Sequence, residues 1–161
     1  MRLIGIHIDQ NKTHPFVRKS LKDEWYPFYE GFPYPPHKED IKSWNNKFRM
    51  DLYTISSISK IKVSISCVVG KNGSGKTTLL DIMYAIINNF SYTHISNIVR
   101  RYGVRLYAAY GVYASLFYEQ QGEIYEVRSI GSQAHLYKEN ELVSFEDGNL
   151  RRVLHEFFFY T

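Results

Sequence analysis

The chain has 161 residues, 44% of them hydrophobic and 22% charged, with a formal net charge of +4 and a pI near 9.0. That length fits one ordinary domain able to bury roughly 70% of its unfolded surface, and the composition excludes a disordered polypeptide. The modest positive balance permits an acidic partner without requiring one. The single cysteine, Cys67, excludes an internal disulfide or a cysteine metal cluster.

Residues 3–9 read as a first strand. The opening run Met1 to Ile6 is too short for a signal peptide, and no apolar stretch approaches the roughly 18 residues needed to span a bilayer. A cytoplasmic location with no membrane partner is therefore expected. Residues 10–48 hold all five prolines and both tryptophans, interleaved with Tyr26, Phe28, Tyr29, Phe32 and Tyr34. Proline at this density disfavours helix and central strand, which predicts a long ordered loop. Its aromatics would contact adenine, stack on nucleic-acid bases, dock a partner or pack as a lid over the sheet.

A weak strand signal spans 50–55 and a strong one 61–69, where Ile61, Val63, Ile65, Cys67 and Val69 alternate with polar residues. A helix follows from Thr77 to about Phe90, apolar over most of its circumference and so expected to be buried on more than one side. A second helical stretch at about 94–101 continues or follows it. Arg100, Arg101 and Arg105 near its end form either a phosphate-contacting cluster or a solvated helix terminus. From Val104 to Tyr118 a strict two-residue period predicts a strand. Turns at Gln121-Gly122, Gly131-Ser132 and Glu139-Asn140 make 104–145 an antiparallel meander of about four strands. Asp147-Gly148-Asn149 caps a last short helix over 150–155.

Between the strand and the helix lies Gly70-Lys71-Asn72-Gly73-Ser74-Gly75-Lys76-Thr77, matching G-x-x-x-x-G-K-[ST] at every fixed position. A triphosphate needs many donors converging on closely spaced oxygens. Backbone N–H groups supply them only where no Cβ blocks the approach, hence the three glycines. The loop opens a helix whose free N–H groups and positive dipole end favour phosphate. Residues Gly70, Lys71, Asn72, Gly73, Ser74, Gly75, Lys76, Thr77 and Thr78 are thus expected to bind ATP. Lys76 is the catalytic cation at the β- and γ-phosphates, and the Thr77 hydroxyl is a ligand to Mg²⁺.

Gly-Lys-Asn-Gly-Ser-Gly-Lys-Thr-Thr-Leu-Leu resembles the Walker A loop of ABC-type ATPase heads, the group that includes transporters, RecF and SMC proteins. The β-rich segment after the helix is more similar to RecF and SMC heads than to transporter subunits. With Trp25 to Phe28 before the loop and Ile86 to Phe90 ending the helix, the chain also resembles bacterial anti-phage defence ATPases of the PtuA kind, which act with an HNH nuclease in Septu and retron systems. The resemblance implies an α/β fold: residues 1–161 as the N-terminal lobe of an ABC-ATPase-like P-loop NTPase, with strand-loop-helix at 61–101 and an antiparallel β-subdomain at 104–145. It further implies ATP and Mg²⁺ as cofactors, a homodimer or higher oligomer through paired heads, and an HNH-type nuclease and nucleic acid (DNA or retron RNA/DNA) as partners.

Several family motifs have no counterpart. Phe145-Glu146-Asp147-Gly148 lacks the apolar run of a Walker B strand and reads as a turn. Ser129 to Gln133 echoes the signature motif but falls in a β-hairpin, and Gln120-Gln121 flank another turn. The six histidines have no ligand spacing, so no metal beyond Mg²⁺ is expected. The chain ends in Phe157-Phe158-Phe159-Tyr160, which leads to the expectation that a C-terminal lobe is missing. This chain alone is expected to bind ATP and hydrolyse it poorly. The alternatives are a DNA repair or recombination ATPase, and a non-hydrolysing ATP-bound scaffold.

Overall fold

The structure, a computed structural model, describes residues 2–29, 31–47 and 71–145. The expected strands at 50–55 and 61–69, Gly70 and the helix over 150–155 lie outside them.

One antiparallel sheet organises the described residues. Its strands are β1 (Arg2–Ile8), β2 (Trp25–Pro27), β3 (Val112–Gln120), β4 (Glu123–Gly131), β5 (Gln133–Lys138) and β6 (Glu141–Leu142), in spatial order β2-β1-β3-β4-β5-β6. The expected meander is β3 to β6. It is not a separate subdomain, because β1 pairs with β3 through Ile6↔Leu116 and Ile8↔Ala114 and so carries the N-terminus into the same sheet.

Three helices complete the fold: α1 (Pro15–Arg18), α2 (Lys38–Lys47) and α3 (Lys76–Arg100). Period-two alternation aims Ile6, Ile8, Ala114, Leu116, Val127, Ala134 and Leu136 at one face of the sheet. There α3 lays Leu79, Ile82, Ile86 and Phe90 on them, closing the main core. On the opposite face Ile4 and Phe117 meet Phe32 from the aromatic segment and Ile41 from α2.

Three expectations need correction. The 10–48 segment is not all loop: it contains α1, β2 and α2. Its prolines sit where they cost least, Pro15 at the first turn of α1 and Pro27 at the end of an edge strand, with Pro35 and Pro36 ahead of α2. The segment packs as a lid: Trp25 meets Phe117 edge-on at 5.7 Å and donates its indole N–H to the Phe32 carbonyl at 2.9 Å.

The second helical stretch continues the first, as one of the two alternatives had it, in one 25-residue helix; what is corrected is the end at Phe90, since Ile86 to Phe90 lies in the middle of the helix. No Gly or Pro interrupts it. Ser91 and Thr93 donate back to the carbonyls of Ile87 and Asn89, which keeps their hydroxyls satisfied inside the helix. Leu80 and Tyr84 remain exposed, so burial on more than one side is not seen among the described residues.

The third correction concerns 104–118, where strand begins only at Val112. Residues 104–109 form an irregular ribbon tied to α3: Asn88 donates to the Tyr107 carbonyl at 2.8 Å, and Asn89 both donates to and accepts from the backbone of Ala109. Those side-chain bonds take the main-chain partners a sheet neighbour would need.

Candidate functional site

Lys71 to Thr78 run contiguously from the glycine loop into the first turn of α3. Asn72 and Gly73 form a turn closed by the Ser74 N–H donating to the Lys71 carbonyl at 3.2 Å. Gly73 and Gly75 adopt φ of 79° and 88°, the left-handed region that side chains resist. Gly73 is there for its backbone alone, since a β-carbon on it would meet nothing. Gly75 is there for space as well. It caps α3, and a β-carbon on it would lie 2.5 Å from Leu21 Cδ2 and 3.3 Å from Ser20 Oγ. The turn following α1 is therefore the floor of the loop, and Lys19 fastens it to α3 through Asp81 at 3.2 Å.

Lys71, Asn72, Gly73, Ser74 and Thr77 are exposed, whereas Thr78 is buried beneath the first turn. Lys76 folds back so that its Nζ donates to the Lys71 carbonyl at 2.9 Å, arching its charge over the loop. The Gly75 cap provides no side-chain acceptor for the first N–H groups of α3, and no acidic residue stands in the first turn. Uncapped amides, the positive end of a long helix and a folded-back ammonium converge on one exposed turn. That arrangement can hold a polyanion.

A second polar cluster lies on the opposite face of the sheet, and no sequence motif marks it. Glu126, nearly buried, accepts two parallel bonds from Arg128, at 2.7 Å from Nε and 2.6 Å from Nη2, and one from the Ser115 hydroxyl at 2.5 Å. The Arg128 guanidinium stacks over Tyr137 at 4.4 Å, and its bond to Glu126 holds its pKa above the ordinary value. Beside it His7 stacks on Tyr34 with centroids 4.3 Å apart, and burial depresses the imidazole pKa against the opposing pull of Glu24 and Asp9. The two charges of this cluster satisfy each other, which leaves it a structural network. The signal that pointed to it was present but weak: Ser115, Glu126 and Arg128 break the apolar content of otherwise buried strands.

Ser129 and Gln133 sit across the β4–β5 turn and open no helix. Phe145 is packed against Phe90 and His94, while Glu146 and Asp147 lie outside the described residues. Among the described residues no group of His, Cys, Asp or Glu has metal-binding geometry, and no helix is long and apolar enough to cross a membrane. Compared with protein-family models, with curated proteins and with solved structures, the chain matches none of them.

Proposed function

We propose that this chain binds a nucleoside triphosphate, ATP with Mg²⁺, through Gly70 to Thr78, and that it is the N-terminal lobe of an ABC-type ATPase head of the RecF and SMC kind. The observation that carries the reading is the helix-opening turn itself. Two glycines stand in the left-handed region, one of them pressed on Leu21, and they free the main-chain amides at the start of α3 for an anion. The residues present fit the cofactor: the turn is exposed, the first amides of α3 have no side-chain acceptor, and Lys76 and the Thr77 hydroxyl stand beside them.

In this reading the amides of the loop bind and orient the phosphates. Lys76 exchanges the Lys71 carbonyl for β- and γ-phosphate oxygens, and the exposed Thr77 hydroxyl takes one place in the Mg²⁺ shell. Bound Mg²⁺ supplies charge neutralisation to the transferred phosphate. As an ATPase head the chain would pair with a second copy and control a nuclease effector in anti-phage defence, or act in DNA repair or recombination. The second reading is a scaffold that holds ATP without hydrolysing it. It is favoured by the Asp81 carboxylate, the one nearest the loop in sequence, being engaged by Lys19.

Titration calorimetry of the chain with ATP and Mg²⁺ tests the binding reading. The parent should bind, and Lys76→Ala should bind roughly 10- to 100-fold more weakly, the loss of a hydrogen bond to a charged group. Equal affinity, or none in either protein, would sink it. Measured in a complete, paired ATPase head, turnover of ATP that is the same in parent and Lys76→Ala would remove the motor reading and leave the scaffold.

A further inference from the structure

The last turns of α3 and the ribbon at 104–109 enclose a groove of about 340 Å³, lined by Tyr92, Asn97, Arg100, Arg105 and Tyr107 among others, none of them acidic. Arg100, Arg101 and Arg105 make no ion pair among the described residues, and the chain carries no Asp or Glu between Asp81 and Glu119. Arg100 and the capping Arg101 suit a helix C-terminus on their own account, but Arg105 lies beyond the helix and has no such reason to line the groove beside Arg100. Around them Tyr102, Tyr107 and Tyr110 are 81%, 74% and 76% exposed. Rings so exposed are usually on loose loops. These are not, because Asn88 and Asn89 hold the ribbon's backbone on α3 and the Tyr102 N–H donates to the Val99 carbonyl at 2.9 Å. A fixed backbone presenting open aromatic faces lowers the ordering cost of stacking on them.

We propose that this groove binds single-stranded nucleic acid, with Arg100 and Arg105 on phosphodiester groups and Tyr107 and Tyr102 stacking on bases. Unpaired cations in an acid-free stretch match a polyanion. Open tyrosine faces match bases that are free of a duplex stack, which double-stranded nucleic acid does not offer. The site is apart from the glycine loop, at the other end of the 25-residue α3, and stands whether or not that loop holds nucleotide.

Fluorescence anisotropy of the chain with a labelled oligothymidylate and a labelled oligouridylate of about 20 nucleotides tests it, with duplex DNA as competitor. The single strand is expected to bind, with duplex competing at least tenfold less well; the two probes separate DNA from RNA as the preferred source of the same chemistry. In Arg100→Ala/Arg105→Ala the slope of log affinity against log salt should shrink by about 1.4, from about 0.7 per lost phosphate contact. Tyr107→Ala should lose about tenfold, and Tyr107→Phe, which keeps the ring face, should not. Lys76→Ala should bind the oligonucleotide like the parent, which separates this site from the glycine loop. Far-ultraviolet circular dichroism confirms that each variant folds. The proposal is overturned by an unchanged salt slope in the double variant, by equal binding of Tyr107→Ala and Tyr107→Phe, by a preference for duplex, or by no binding at low salt.

Discussion

Leu21 and Gly75 are packed so closely that neither position tolerates growth of the other: a β-carbon on Gly75 would come within 2.5 Å of Leu21 Cδ2. The contact joins the turn after α1 to the cap of α3, so the shape of the glycine loop depends on a residue more than fifty positions upstream in the chain. Gly75→Ala adds a left-handed alanine, about 1–2 kcal/mol, to an overpacked contact of about 1–3 kcal/mol. Urea denaturation should show a loss of roughly 2–5 kcal/mol. Leu21→Ala removes the clash but leaves the backbone strain, so the double variant should lose less than the sum of the two singles. A Gly75→Ala protein within about 0.5 kcal/mol of the parent would show that the cap relaxes freely.

Asn89 is fully buried in the middle of α3, with its Nδ2 donating to the Ala109 carbonyl at 2.8 Å and to Ser129 Oγ at 3.0 Å, and its Oδ1 accepting from the Ala109 N–H at 2.7 Å. One carboxamide thereby ties helix, ribbon and sheet together. Asn89→Ala leaves both main-chain groups of Ala109 without these partners, which should cost about 2–4 kcal/mol. Hydrogen exchange should show the Ala109 amide losing protection well before α3 does. Unchanged protection there would mean that something other than Asn89 holds the ribbon.

Much of this fold is readable in sequence because it follows local periods. Ile4 to Ile8, the β3–β4 hairpin with its Gln121-Gly122 turn, and the helix behind Lys76 each follow from spacing alone. The loop geometry at Gly73 and Gly75 was likewise legible, since only glycine accepts those φ angles cheaply. What escaped is whatever depends on a distant partner. Alternation at 104–110 looks like strand, yet two adjacent asparagines on a helix claim its hydrogen bonds. The prolines of 10–48 look like a long loop, yet Pro15 opens α1 and Pro27 ends β2, and the others fall in the connection ahead of α2. Glu126 and Arg128 occupy the face of β4 away from the main core, yet Glu126 is buried, and Tyr34 from the distant lid lines the same pocket as both.

The Glu126–Arg128 pair sets a test of its own. Arg128→Leu removes both parallel bonds and leaves a nearly buried carboxylate with, among the described residues, the Ser115 hydroxyl as its side-chain donor. Removing one partner of a buried pair costs about 3–5 kcal/mol, and because Arg128 is partly exposed the expected loss is smaller, about 2 kcal/mol. Arg128→Leu/Glu126→Gln should recover at least half of that loss, since no charge is then stranded. Chemical denaturation of the three proteins decides it. A double variant no more stable than Arg128→Leu would assign the loss to the stacking on Tyr137 instead.

The histidines predict how stability responds to mild acid. Burial lowers the His94 pKa from its ordinary 6.5, and the neighbouring His135 lowers it further, with the hydrogen bond to the Ala134 carbonyl pulling the other way. His7 is depressed in the same direction, by burial first. Below pH 6.5 the unfolded chain therefore takes up protons that the folded chain resists. Stability is fully present above that value and falls as pH drops beneath it, until the folded imidazoles also titrate. Carboxylates titrate near 4, so the interval from about pH 6.5 to about pH 5 reports on histidine. His94 stands edge-on to Phe145 and His135, so His94→Phe keeps a ring there and removes the titration. Its unfolding free energy should fall less steeply than the parent's across this interval. Parallel curves for the two proteins would move the effect to His7, where the stacking on Tyr34 makes His7→Phe the matching substitution.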